Sequence, residues 1–273
     1  MNTEVKSVSK NKNDDMLVME PTNHLVEIYY FFDPFSKECI AMEPIINKLL
    51  IEYRDHVSIK KVLAPSLSVL TKCQAQSTSN KDNVALAYKA AEIQGRSKAR
   101  AFIRYIFNRI SPKNSICTQE MIDDSARLAG IDITTFHQDL QSPNLDTMLK
   151  YDLAVYREMD VESLPTMVFF SGDVHEEGVK VEGSYPYHIY TYIINELLNI
   201  EIEKKQLPSI LEYIRAYEFV SFDELKTIFE WRAGLLLNEL KKLRLQRLIE
   251  VINVDNQDFY QMKSTKESLQ HKH

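Results

Sequence analysis

The sequence has few glycines: six among 273 residues, where average usage of about 7% would give about nineteen. Because glycine supplies the positive-φ turns of tight hairpins, this scarcity favours helices. The glycines cannot be arranged as G-x-G-x-x-G, so the dinucleotide-binding fingerprint is absent. Gly178 and Gly183 have the spacing of a P-loop, but Ser184 stands where that loop needs a phosphate-binding lysine. The sequence therefore excludes both nucleotide-binding motifs.

Cysteine is equally scarce, and the three cysteines lie far apart in the chain. They form no C-x-x-C pair and no zinc-finger spacing. No H-E-x-x-H motif is present, and the histidines lack the spacing of metal ligands. The sequence therefore predicts neither a metal centre nor a bound cofactor, and we interpret Cys73 and Cys117 as structural.

The chain also lacks an excess of basic residues and a long apolar run. Its net charge is −6 and its pI is about 5.7, whereas a nucleic-acid-binding protein needs a basic surface. No run of about eighteen apolar residues occurs, so no membrane span is predicted. Residues 1–24 contain no apolar segment of the kind found in secretory signals. We therefore expect a cytoplasmic protein with reduced thiols and with neither a nucleic acid nor a membrane as its partner.

The length and composition predict two globular domains. The chain of 273 residues exceeds the usual range of roughly 100–200 per domain, and 44% hydrophobic residues provide enough apolar surface for a core. Residues 1–23 are polar and lack periodicity, which predicts a flexible N-terminal tail. A loose tail is predicted at the other end, over residues 264–273.

The first folded segment has a β-α-β pattern. The apolar and aromatic run LVEIYYFF, residues 25–32, predicts a buried strand that ends in a turn. Residues 39–53 have helical spacing, and Pro44 inside them predicts a kink. Residues 57–63 predict a second strand, so the two strands should be parallel and joined by a right-handed crossover.

A helical insert is predicted next, over about residues 82–160. Residues 83–109 are rich in alanine and have apolar residues on one side, with Gly95 as a break or a bend. Thr118 and Asn144 are predicted to cap two further helices.

Strand patterns return after the insert. Residues 166–170 and 178–182 predict two strands in antiparallel arrangement, and residues 187–198 predict a strongly apolar helix. A strand, a helix and a strand, then a helical insert, then two strands and a helix is the order of a thioredoxin-like α/β fold. We predict this domain over residues 24–200.

The charged segment 199–206 predicts a boundary, beyond which a small winged-helix-like domain is predicted over residues 206–263. Its predicted elements are helices over 210–217 and 234–246, a helix that opens with a capping box at Ser221–Glu224, and strands over 248–254 and 258–262.

Four cations lie where this domain would have a recognition helix: Lys241, Lys242, Arg244 and Arg247. Taken alone, they indicate DNA binding. Residues 199–273, however, carry twelve Lys or Arg and twelve Asp or Glu, which gives a net charge of zero. We therefore favour a solvated or protein-docking face, and keep DNA binding as an alternative.

A redox motif is half present between the first strand and the first helix. In thiol oxidoreductases a C-x-x-C motif lies here, where the helix dipole lowers the pKa of the first cysteine. This chain has Ser36 at the first position and Cys39 at the second. A hydroxyl without an adjacent base cannot attack a disulfide, so dithiol redox catalysis is not predicted. Pro165 precedes a later strand, where thioredoxin-like proteins have a cis-proline, and we predict the cis isomer there.

Four long stretches are similar to the SpxH family, also called YjbH, of Gram-positive bacteria, and above all to its staphylococcal members. They are EIYYFFDPFSKECIAMEPIINKLLIEYR (27–54), VLTKCQAQSTSN (69–80), NVALAYKAAEIQGR (83–96) and VFFSGDVHEEGVKVEGSYPYHIYTYIINELL (168–198). The similarity covers roughly residues 25–262, and several long stretches in order are far more specific than one short motif.

The resemblance implies a DsbA-like thioredoxin fold and a non-catalytic adaptor that presents the transcription factor Spx to the ClpXP protease. Bacillus relatives have C-x-x-C where this chain has Ser36. Some relatives begin with a His- and Cys-containing segment implicated in zinc binding, whereas this N-terminus has only His24 and no cysteine. The candidate partner-binding residues are those of a vestigial groove, namely Phe35, Ser36, Cys39 and Pro165.

Two alternative functions remain open. A residual thiol-disulfide oxidoreductase or isomerase would use Cys39 as a single thiol, although a free cysteine is more often a small buried apolar residue. A DNA-binding regulator would act through the C-terminal domain and would bind duplex DNA with a steep salt dependence.

Overall fold

The computed structural model describes residues 26–33, 36–64, 84–109, 118–172, 177–199, 202–254 and 257–263. The tails predicted over residues 1–23 and 264–273 lie outside these ranges, as do Phe35, Cys73 and Cys117. Among the helices that can be described, none combines the length and the apolar character needed to cross a membrane.

The described strands of the first unit form one mixed sheet of four strands. Its strands are β1 (Val26–Phe32), β2 (Val57–Leu63), β3 (Thr166–Ser171) and β4 (Val179–Glu182), in the order β2-β1-β3-β4. The predicted parallel pairing of the first two strands is confirmed, with Val26 opposite Val57. The predicted antiparallel arrangement is also confirmed, because β3 runs antiparallel to both β1 and β4.

Helix α1 (Lys37–Glu52) connects β1 to β2 and contains Pro44. The side chains it buries against the sheet include Cys39, Met42, Ile46 and Leu49, while Ile40 and Ile45 are only partly buried. They join the buried residues of β1 and α7 (Tyr187–Leu198) in one hydrophobic core. The core therefore begins directly behind the first helical turn of α1.

Within the described residues, five helices lie between β2 and β3, where the sequence predicts an insert. They are α2 (Val84–Ile93), α3 (Arg96–Arg109), α4 (Gln119–Leu128), α5 (Ile133–Asp139) and α6 (Asn144–Glu158). Gly95 separates α2 from α3 with φ +132°, a backbone conformation that favours glycine. Thr118 caps α4 as predicted, since its side chain accepts a hydrogen bond from the Met121 N–H.

The prediction that Asn144 is an N-cap is wrong. Asn144 is already helical, and Pro143 precedes it as a cap residue that makes no side-chain hydrogen bond. The Asn144 N–H instead donates to the Ser142 hydroxyl at 3.3 Å. The capping oxygen therefore comes from two residues earlier in the chain.

The described residues of the C-terminal unit form three helices and three short strands. They are α8 (Ile210–Tyr217), β5 (Val220–Ser221), α9 (Phe222–Phe229), α10 (Ala233–Leu245), β6 (Ile249–Val254) and β7 (Gln257–Met262). The strands form an antiparallel sheet in the order β5-β7-β6 over a second hydrophobic core. The three helices and the hairpin of β6 and β7 correspond to predicted elements, while the winged-helix-like assignment and the domain limits stay predictions.

Charged side chains join the two units. Lys48 of α1, with a nearly buried side chain, forms an ion pair with Glu230 at 2.8 Å. Arg104 of α3 is buried against Glu224 of α9 at 3.0 Å. Backbone contact adds to these pairs, since the Lys205 N–H donates to the Glu52 carbonyl at 2.8 Å. These contacts tie the C-terminal unit both to α1 and to the helical insert.

Candidate functional site

Ser36 has a structural role at the N-terminus of α1. Its hydroxyl oxygen accepts a hydrogen bond from the Cys39 N–H at 3.3 Å, and its O–H donates to the Glu38 carboxylate at 3.0 Å. Ser36 is therefore the N-cap of the helix, a role for which serine is among the preferred residues. The residue that replaces the first cysteine of the redox motif thus satisfies a backbone donor that a helix start leaves free.

Cys39 is completely buried in the core of the first unit. The Asp33 N–H donates to its sulfur at 3.4 Å, and the Tyr30 hydroxyl donates to its carbonyl at 3.1 Å. Burial is the largest influence on the thiol and raises the pKa of Cys39 to about 11, although hydrogen bonds from Ser36 and Asp33 oppose this shift. Cys39 is therefore a protonated thiol at neutral pH.

A buried ion pair lies one helical turn beyond Cys39. The Glu43 carboxylate contacts the Lys61 ammonium at 2.7 Å, and both side chains are almost fully buried. The negative charge of Glu43 contributes to the raised pKa values of Cys39 and of Tyr30. The local electrostatics thus disfavour a thiolate, which is the opposite of what a nucleophilic cysteine needs.

The Leu164–Pro165 peptide bond is cis, which is the isomer that the sequence predicts. Pro165 is buried at the start of β3, and its carbonyl accepts the Gly183 N–H at 2.7 Å. The bond lies beside a cleft of about 340 Å³, which is lined by Asp33, Ser36, Ala64, Leu153, Tyr156, Glu162, Ser163 and Leu164.

The cleft brings together some of the predicted site residues and not others. Ser36 lines it, whereas Cys39 and Pro165 are buried and do not. Phe35 lies outside the described residues. The cleft is also lined by residues that the sequence did not predict, among them Tyr156 from α6 and Glu162 from the segment after it. No local motif marks these two residues, because they face the cleft only through the tertiary fold.

No metal site is present in the part of the chain that the structure describes, because no three His, Cys, Asp or Glu side chains there converge on one point. His137 instead lies 2.9 Å from the Asp123 carboxylate on the neighbouring α4. The described residues therefore offer no ligand set that would hold a resident ion.

Comparison with known proteins identifies the family. A family model described as Thioredoxin matches residues 29–192. The ClpXP adapter protein SpxH of Staphylococcus aureus strain NCTC 8325 is 51% identical over 259 residues, which cover 95% of this chain and 96% of that protein. The chain belongs to the SpxH family. The SpxH protein of strain Mu3 shows the same identity and coverage.

A solved structure shows the fold that this SpxH-family chain shares with redox proteins. The thiol-disulfide exchange protein alpha-DsbA2 of Wolbachia pipientis superposes with a TM-score of 0.51 and 17% identity, covering 64% of this chain and 83% of that one. At this identity the likeness establishes the fold alone. The predicted DsbA-like thioredoxin fold is confirmed, and chemistry must be argued from the residues of this chain.

Proposed function

We propose that this protein is a non-enzymatic adaptor that binds the transcription factor Spx and promotes its degradation by ClpXP in the cytoplasm. The observation that carries the proposal is the 51% identity, over 95% of the chain, to proteins named ClpXP adapter protein SpxH. The site supports the non-enzymatic part, because Ser36 caps a helix and Cys39 is a buried thiol with a pKa of about 11.

The proposal is tested by following ClpXP degradation of purified Spx while this protein is titrated. We expect at least a tenfold acceleration, and the same acceleration with the Cys39→Ala variant, because an adaptor needs a binding surface and not a thiol. Acceleration by the wild type alone would favour redox chemistry at Cys39. Absence of acceleration by either protein would contradict the adaptor proposal.

The alternative of a residual oxidoreductase rests on the half-present redox motif, in which Cys39 is the remaining thiol. It would require Cys39 to act alone, from a buried position. A disulfide-exchange assay distinguishes it from the adaptor, since the adaptor predicts no exchange above that of the Cys39→Ala variant.

The cleft beside Ser36 is one proposed contact surface for Spx. Thioredoxin-like grooves suit an extended peptide, which pairs through its backbone and places side chains in small pockets. Phe35, Ser36, Cys39 and Pro165 mark this region in the sequence, and Ser163 and Leu164, which directly precede Pro165, line the cleft together with Ser36. A serine at the rim can be enlarged without disturbing the core, because Ser163 is exposed.

Filling the cleft is expected to weaken Spx binding. Ser163→Trp places an indole ring in a space of about 340 Å³ and should lower the affinity for Spx about tenfold, which corresponds to about 1.4 kcal/mol. Phe35→Ala should weaken binding in the same direction. The matched control is Ser97→Trp, at an exposed position on α3, which should leave the affinity unchanged. If all three folded variants bind Spx like the wild type, the cleft is not a contact surface.

A further inference from the structure

Helix α10 has an exposed stripe of leucines and cations along one side. Leu237, Lys241, Arg244 and Leu245 follow one another at i, i+4, i+7 and i+8, which is the spacing of a single helix face. Leu237 is 51% exposed and Leu245 is 75% exposed, whereas Leu236 and Leu240 fill the core on the adjacent side. The stripe therefore contributes nothing to the core of its own unit.

The end of α10 extends this stripe. The Arg247 N–H donates to the Arg244 carbonyl at 3.0 Å, and the Leu248 N–H donates to the Leu243 carbonyl at 3.1 Å. With Arg247 at φ 59°, this is a Schellman motif, which turns the chain back towards the last helical turn. Leu248 is itself 37% exposed. The leucine–cation stripe thus comprises Leu237, Lys241, Arg244, Leu245 and Leu248.

The stripe is positively charged in a protein whose net charge is −6. Residues 237–248 contain four cations and one carboxylate, that of Glu239. Lys242, on another side of the helix, lies 3.4 Å from that carboxylate. Lys241 and Arg244 form no ion pair with any other residue in the described ranges. Among the described acidic side chains of the neighbouring hairpin, Glu250 bonds Gln261 and Asp258 bonds Asn253.

We propose that the leucine–cation stripe is a docking surface for an acidic amphipathic helix of the protein partner. The leucines of the stripe have helical spacing, so they can pack against apolar residues that recur with the same period on a partner helix. The cations between these leucines can pair with carboxylates that flank the apolar residues of the partner. The inference rests on the proposed function for the identity of that partner, Spx. It assigns to the C-terminal unit a contact separate from the cleft of the first unit.

Two other occupants fit the stripe less well. Duplex DNA requires cations that reach phosphates, whereas this stripe presents three exposed leucines, which gain nothing from a polyanion. A second copy of the chain would place the stripe against itself in a two-fold contact. Such a contact would bring Lys241 and Arg244 near their own equivalents, and no carboxylate within the stripe would compensate.

The test compares two matched double variants of the full chain. L237S/K241Q removes one leucine and one lysine from the stripe, and L235S/K242Q removes the same residue types from another side of α10, where Leu235 is 60% exposed. Neither variant alters a buried side chain, so both should keep the unfolding midpoint of the wild type. We expect L237S/K241Q to bind purified Spx at least tenfold more weakly and L235S/K242Q to bind within twofold of the wild type.

A second probe keeps the two proposals distinguishable. A synthetic helical peptide of leucine and glutamate, with leucines at i, i+4 and i+7, is titrated against the same variants, with a leucine–lysine peptide as the charge control. The acidic peptide should bind the wild type, and its affinity should fall as the salt concentration rises. Its affinity for L237S/K241Q should be at least tenfold lower than for the wild type, whereas its affinity for L235S/K242Q should not fall to this extent.

The Spx and peptide measurements test the stripe and the adaptor function separately. If Spx binds wild type and L237S/K241Q equally, the stripe inference is overturned and the adaptor proposal stands. If Spx binds none of the proteins, the adaptor proposal fails, and the peptide alone decides whether the stripe is a docking surface. Binding of duplex DNA or self-association that L237S/K241Q abolishes would overturn the inference in favour of that other occupant.

Discussion

Replacing Arg104 with methionine is expected to lower the free energy of unfolding by about 3–5 kcal/mol, the usual cost of leaving a buried charge without its partner. Arg104 is buried between the helical insert and the C-terminal unit. Its guanidinium pairs with the Glu224 carboxylate at 3.0 Å and donates to the carbonyls of Tyr217 and, at 3.2 Å, Phe219. Methionine has a similar length but satisfies none of these three acceptors.

The backbone that Arg104 holds is also unusual. Glu218 and Phe219 have φ values of 43° and 42°, in the left-handed region that non-glycine residues rarely adopt. The carbonyls that accept from Arg104 lie on either side of this stretch, between α8 and β5. We therefore expect Arg104→Met to raise amide hydrogen exchange first at this connection, before the helices of either unit open.

Urea unfolding at pH 7 measures the stability loss, and the chain offers a matched control. Arg127 pairs with Asp124 at 2.9 Å, but both side chains are about half exposed. Arg127→Met should therefore cost no more than about 1 kcal/mol. The double variant R104M/E224Q has no unpaired buried charge at this position. Its loss of unfolding free energy should therefore be smaller than the sum of the losses of R104M and E224Q. A loss below about 1 kcal/mol for R104M alone would show that this buried pair contributes little to the stability of the protein.

Glu224 illustrates what local sequence can and cannot predict. The capping box predicted at Ser221–Glu224 forms only halfway, because the Ser221 hydroxyl accepts the Glu224 N–H at 3.1 Å. The Glu224 carboxylate instead contacts Tyr213 at 2.7 Å and Arg104. Spacing along the chain shows which residues can reach each other within one turn. It does not show that an arginine 120 residues earlier competes for the same carboxylate.

A complete capping box is present at Ser209 and Glu212, where each side chain bonds the backbone N–H of the other, at 3.2 and 2.8 Å. This pair has the same S-x-x-E pattern as Ser221 and Glu224, and the sequence analysis did not single it out. The difference between the two pairs arises from tertiary contacts, since Glu212 is exposed to solvent while Glu224 is buried.

Helices in which apolar residues recur with a clear helical period have bounds that agree closely with the predicted ones. The helices at 187–198 and 210–217 have the predicted bounds, because the alternation of buried and exposed residues within a helix is a local property. Strand β5 was not predicted. It has two residues, and it exists because Val220 and Ser221 pair with Tyr260 and Phe259, about forty positions later.

Some residues of the candidate site are likewise predictable from local sequence, and others are not. Ser36 and Cys39 are predictable because the redox motif occupies four consecutive positions. Tyr156 is not predictable in this way, since it lines the same cleft from a position more than a hundred residues later in the chain. Burial of Cys39 was the interpretation that the sequence favoured, and it is confirmed, because the first turn of α1 faces the core.

Cys39 is expected to react with iodoacetamide at pH 7 at least about 100-fold more slowly in the folded protein than in the unfolded chain. Burial raises the pKa of its thiol from 9.0 to about 11, and a difference of two units lowers the thiolate fraction about a hundredfold. Complete burial of the side chain slows the reaction further by excluding the reagent. The measurement uses a C73S/C117S background, in which Cys39 is the only cysteine, with mass spectrometry in buffer and in urea.

The same shift predicts a pH dependence of stability. Below pH 9 the thiol is protonated in both states, so its burial carries no ionisation cost. Between pH 9 and pH 11 the unfolded chain loses the proton while the folded protein retains it, so the free energy of unfolding falls by up to about 1.4 kcal/mol per pH unit. Tyrosines ionise at about pH 10 in the unfolded chain, whereas burial raises the pKa values of Tyr30, Tyr88 and Tyr213 well above that in the folded protein. They therefore also lower the stability at alkaline pH, and the difference between wild type and Cys39→Ala isolates the contribution of the thiol. Rapid alkylation at pH 7, with no such difference, would mean that Cys39 is a reactive thiol and would make the oxidoreductase alternative the stronger one.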